Sequence, residues 1–124
     1  MSQIEQRAVG IVDDDQAVRD SLRLLLEVVG HPVETFASAA EFLAARPRDL
    51  ACLILDHHMP QMTGLQLAEK LHADGSSIPI LLVTDSLSPA IFARATEIGI
   101  TALEKPPDEY EVLALIGAAL TVHR

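Results

Sequence analysis

Apolar runs of strand length alternate five times along this chain with stretches whose apolar residues recur every three to four positions. Ala8 to Val12 is the first run, and it ends in Asp13-Asp14-Asp15. From Gln16 the period is helical, with Val18, Leu22, Leu25 and Val29 on one stripe and Gly30 as the stop. Pro32 to Phe36 is the second strand. Ser38 then caps a helix from Ala39 to about Arg46, with Glu41 completing a capping box and Pro47 ending it. Leu50 to Leu55 is the third strand and stops at a carboxylate, Asp56, before a loop holding Pro60. Gly64 to about Ala73 carries Leu65, Ala68 and Leu71 on one face and halts at Gly75. Pro79 to Val83 is apolar throughout, the mark of a strand covered on both faces, and runs into Thr84-Asp85. Ser88-Pro89 opens a fourth helix bearing Ile91, Ala95 and Ile98, which Gly99 closes. Ile100 to Leu103 is the last strand and leads into Glu104-Lys105-Pro106-Pro107. Asp108 caps a final helix whose Val112, Leu113, Ile116 and Leu120 point inward.

Such alternation forces parallel strands joined by right-handed crossovers, with helices on both faces of the sheet. The expected fold is a doubly wound α/β three-layer sandwich of the flavodoxin-like (βα)5 kind. Its five-stranded parallel sheet has the order 2-1-3-4-5, with the ligand crevice between the first and third strands. At 124 residues and 49% hydrophobic content the chain suffices for one domain, expected over residues 1–124. The net charge of -9 argues against a nucleic-acid surface on this segment and for cations or basic partner patches. Apolar stretches end short of a membrane span and the start lacks the order of a signal peptide, so a cytoplasmic location without membrane contact is expected. The single cysteine, Cys52, lies inside a strand run, which excludes internal disulfides and cysteine-based zinc sites and leaves core packing as its role.

In the expected strand order the first and third strand ends are neighbours, so Asp13, Asp14 and Asp56 converge. Carboxylates a few ångströms apart repel by roughly 4 kcal/mol per pair at an effective dielectric near 20, and they stay ionised together around a cation. Oxygen-only ligands in a wet crevice suit Mg²⁺, which keeps several waters and bridges to phosphate. The fourth strand end adds a hydroxyl, Thr84, and the fifth an ammonium, Lys105; both are phosphate ligands. Together these are the parts for phosphoryl transfer to Asp56, giving an aspartyl phosphate. Singly each has a simpler role, with Asp56 or Asp13-Asp14-Asp15 capping a turn or helix and Lys105 a solvated amine.

The sequence resembles the receiver domain of two-component response regulators over about Ala8 to Leu120. The resemblance rests on Val12-Asp13-Asp14, Asp56 with Met59-Pro60 and Gly64, Val83-Thr84, and Lys105-Pro106. Ile11 to Asp15 and Val18 to Leu22 are most similar to the nitrogen-fixation subfamily, whose members usually carry a C-terminal helix-turn-helix. The resemblance implies phosphorylation of Asp56 by a phosphohistidine on a sensor histidine kinase. It also implies Mg²⁺ held by Asp14, Asp56 and the backbone carbonyl of His58, with Asp13 assisting through water. A cis Lys105-Pro106 peptide and movement of Thr84 toward the phosphoryl group follow from it too, with a signal passing through the fourth helix, fifth strand and fifth helix. That face could meet an effector domain or a second copy. A domain of this kind phosphorylates and dephosphorylates itself without being a turnover enzyme. The alternatives are a receiver-like interaction module that is never phosphorylated and an aspartate-nucleophile phosphatase, although His58 stands where the latter needs a second Asp.

Three positions depart from the family pattern. Asp85 follows the signalling threonine where a small residue is usual; it adds a carboxylate near the site or, turned outward, caps the next helix. Ala102 replaces the aromatic switch residue, leaving Phe92 as a candidate to fill the space that Thr84 vacates. Pro107 stands where the family favours Phe. His57 and His58 are expected as exposed loop residues pointing apart, with no third nitrogen ligand to make a metal site.

Overall fold

The computed structural model describes residues 7–47 and 49–122. Its elements run β1 (Val9–Val12), α1 (Gln16–Val28), β2 (Val33–Phe36), α2 (Ala39–Ala45), β3 (Cys52–Asp56), α3 (Gly64–Ala73), β4 (Ile80–Thr84), α4 (Pro89–Glu97), β5 (Thr101–Glu104) and α5 (Glu109–Val122). All pairings are parallel and the order is β2-β1-β3-β4-β5, as the alternation predicts. Val12 lies opposite Leu55, Asp56 opposite Val83, and Thr84 opposite Glu104. These registers bring the four polar strand ends to one rim.

The two-residue repeat of a strand divides the core between the sheet's faces. Val12, Leu53, Leu55 and Leu82 pack with Phe42, Leu67 and Ile98 of α2, α3 and the end of α4. Val9, Ile11, Cys52, Ile54 and Val83 pack with Leu26, Val112 and Ile116 of α1 and α5. Cys52 is thus core, and burial, opposed by the charge of Arg7, pushes its thiol up to about 12. Among the described residues no helix is long and apolar enough to cross a membrane.

Two local expectations are corrected. In α1 the buried residue is Leu26, whereas Val29 is the C-cap and 50% exposed. Leu22, Leu24, Leu25, Leu26, Val28 and Val29 crowd two turns, so several stripes satisfy the helical period and only the docking of α1 on the sheet selects one. Ser38 caps α2 by accepting the Glu41 N–H, but the Glu41 carboxylate accepts from the Ala37 N–H, so no closed capping box forms. A true box stands at α3, between Thr63 and Gln66. Ser88 caps α4, and Asp108 Oδ1 accepts the Tyr110 and Glu111 N–H groups at the start of α5. Gly64 begins α3 against β3, where a Cβ would collide with the Asp56 carbonyl oxygen and lie 2.8 Å from Leu82 Cδ1. Its hydrogen admits the close approach that seats the helix beneath Asp56.

Candidate functional site

Asp56 closes β3 and Asp13 follows β1, and both are only 3% exposed. One carboxylate oxygen from each of Asp13, Asp14 and Asp56 falls within 4.8 Å of the other two. The Lys105 ammonium is 2.8 Å from Asp56 Oδ1, off hydrogen-bonding angles, and 3.9 Å from Asp13 Oδ2. It arrives there because its own N–H donates to the Thr84 carbonyl at 2.8 Å and extends the β4–β5 pairing past Glu104. The Lys105-Pro106 peptide is cis.

One ammonium faces three carboxylates, two of them buried, and the electrostatics follow. Burial pushes the Asp13 carboxyl up to about 6. The Asp15 N–H opposes this, Asp56 adds to it, and Lys105 and Asp14 have smaller opposite effects. Burial pulls the Lys105 amine down, but contact with Asp56 and the charges of Asp56, Asp13 and Asp85 outweigh it, so the ammonium is held above the usual lysine range. Hard oxygen donors with too few protein cations are the donor set that a small divalent ion fits. Asp13, Asp14 and Asp56 could therefore hold such an ion.

Not every expected member joins this cluster. Thr84 is fully buried at the end of β4, but its hydroxyl engages Ser86, donating to the carbonyl and accepting from the N–H at 3.3 Å each. Asp85 is exposed and Ser88 caps α4, so capping is not the role of Asp85. Phe92 is 56% exposed and fills no inward space, while Ala102 lies half-buried in β5. The histidines also differ from expectation. Their rings stack edge to face at 5.2 Å, and His57 is half-buried with Nδ1 accepting the Leu65 N–H at 3.4 Å. That N–H lies in the first turn of α3, where backbone donors lack helical partners, which draws the ring inward. Burial, then the neighbouring His58, holds the His57 imidazole below the usual range against the pull of Asp56. Arg19 was not picked out from the sequence: its Nη1 donates to the Asp13 carbonyl at 2.7 Å. A basic residue six positions after an acidic strand end is the only signal that could have marked it.

A family model for the response regulator receiver domain matches residues 9–117. The chain belongs to that family. Response regulators work with sensor kinases in two-component systems. This receiver domain is 37% identical over 118 residues to the transcriptional regulatory protein FixJ of Azorhizobium caulinodans, covering 94% of this chain and 56% of that protein. It is 38% identical over 112 residues to the response regulator protein TodT of Pseudomonas putida, covering 89% and 49%. The receiver domain thus spans about half the length of the curated relatives it matches. Among solved structures it resembles FixJ-N, with TM-score 0.84, 29% identity and 98% of each chain covered. It also resembles a CheY-like receiver domain from Methanospirillum hungatei, with TM-score 0.86, 29% identity and 94% and 95% coverage.

Proposed function

We propose that this receiver domain accepts a phosphoryl group on Asp56 from a phosphohistidine of a sensor kinase, with Mg²⁺ bound by the acidic rim. The observation that carries the reading is a buried carboxylate, Asp56, touching one lysine at 2.8 Å and crowded by two further aspartates. An Asp56 oxygen attacks phosphorus, the O–P bond forms as the N–P bond breaks, and the leaving imidazole keeps a proton taken from solvent. Lys105 binds a phosphoryl oxygen and screens Asp56 as charge accumulates. Thr84 binds another oxygen after leaving Ser86, whose 3.3 Å contacts are long and cost little to break. Asp14, Asp56 and the His58 carbonyl would hold the metal, with Asp13 assisting. Among the described residues that carbonyl accepts no hydrogen bond, which leaves it available. Bound Mg²⁺ supplies Lewis acidity and neutralises phosphoryl charge.

The receiver domain acts as a switched acceptor that later loses its phosphoryl group to water. FixJ is named a transcriptional regulatory protein, and both FixJ and TodT are about twice as long. This supports output through an effector domain, or a second copy, at the α4–β5–α5 face, where Phe92 and Tyr110 are exposed. Intact mass after incubation with Mg²⁺ and acetyl phosphate tests the acceptor role. One added phosphoryl group is expected, and none in Asp56→Asn or in excess EDTA. A gain that persists in Asp56→Asn would sink the assignment.

A further inference from the structure

We infer that Arg19 is the positioning residue of the acidic rim, holding Asp13 and Asp14 together in the arrangement that takes up the metal ion. This rests on the reading of the rim as a Mg²⁺ site and names the group that shapes it. Half-buried Arg19 stands one turn into α1, and its Nη1 donates to the Asp13 main-chain carbonyl at 2.7 Å, the distance of a strong charge-assisted hydrogen bond. Asp13 is buried, so that carbonyl needs a partner, and among the described residues Arg19 supplies it. The carbonyl belongs to the planar peptide joining Asp13 to Asp14. One hydrogen bond to its oxygen therefore orients the unit from which both carboxylates spring.

The rest of the loop is locked to the same helix. The Asp13 carboxylate accepts the Asp15 N–H at 2.9 Å, the Asp15 carboxylate accepts the Ala17 N–H at 2.9 Å, and the Arg19 N–H donates to the Asp15 carbonyl at 3.0 Å. These links stay within the loop or end at the helix backbone. Among the described residues, the Arg19 guanidinium is the side chain of α1 that reaches from the helix body back to the end of β1. Groups that orient metal ligands in this way typically change metal affinity by about 10- to 100-fold when removed.

Mg²⁺ titration calorimetry on the full chain, wild type against Arg19→Met and Arg19→Lys, tests the inference. Arg19→Met keeps the aliphatic stem and removes the donor; its Mg²⁺ dissociation constant should rise about tenfold, with Arg19→Lys recovering part of the loss. A purely structural role would lower the unfolding midpoint in EDTA and leave Mg²⁺ affinity unmoved. Phosphorylation should show the same split, with a raised half-saturating Mg²⁺ concentration and the labelling rate restored at saturating metal. Wild-type affinity in a folded Arg19→Met overturns the inference alone, whereas absence of Mg²⁺ binding by the wild type overturns the metal site itself. If Arg19→Met does not fold, the wild type decides. Its Arg19 Nε–H resonance should shift with Mg²⁺ at the same midpoint as the Asp14 and Asp56 amides, and a static resonance refutes the role.

Discussion

Asp13 carries its electrostatic burden at two protonation states. In the folded domain burial pushes its carboxyl up to about 6, above the usual carboxylate range. A carboxyl raised in this direction favours folding below its unfolded pKa, and that contribution fades as pH climbs toward the folded value. Metal-free protein should therefore lose up to roughly 3 kcal/mol between about pH 4 and 6 from this group, and Asp13→Asn should not show that loss. Urea midpoints in EDTA across that range measure it; a wild-type profile that rises or parallels Asp13→Asn would contradict the buried, crowded state of Asp13. Asp85 belongs at the same scale. It is exposed and near enough to Lys105 to add a smaller share to the pull by which Asp56 and Asp13 hold the ammonium charged against burial. An anionic donor entering there meets an extra carboxylate. Removing about 1 kcal/mol of repulsion in Asp85→Ala should speed acetyl phosphate labelling about fivefold. An unchanged rate would clear Asp85 of that role.

Among the elements, α1 offers the clearest contrast between side chains of like chemistry. Leu26 is fully buried against the β1 and β3 core, so Leu26→Ala should cost about 2–5 kcal/mol. Val29→Ala, at the exposed C-cap, should stay within about 0.5 kcal/mol. Chemical denaturation of both variants checks this, and equal costs would mean that α1 docks on another face. The sequence alone assigned the wrong residue because α1 is richer in aliphatics than one face requires. Strands were easier to read, since runs such as Ile80–Thr84 have no polar alternation and need cover on both sides. Site residues were legible where they end a strand or directly follow one, as Asp56 and Lys105 do. Arg19 and the inward turn of His57 were not, because each depends on where a helix start settles against the sheet.

For the molecule as a whole, the acidic rim and the proposed output face lie on different elements, and coupling them requires something to move. With Ala102 half-buried in β5 and Phe92 turned out to solvent, no aromatic ring among the described residues is positioned to follow Thr84 inward. Beryllofluoride with Mg²⁺ should shift amides around Asp56, Thr84 and Lys105 strongly and those along α4 and α5 weakly. Broad, large changes across α4 to α5 in a nitrogen-15 correlation spectrum would reverse that view.

β5 pairs with β4 alone, so it is one of the sheet's two unzipped hems, and Lys105 is the next residue along that thread. A strand from any other molecule laid along the hem would stiffen the tether of the pocket amine without touching the pocket. Grip on the garment's edge becomes tension at its clasp.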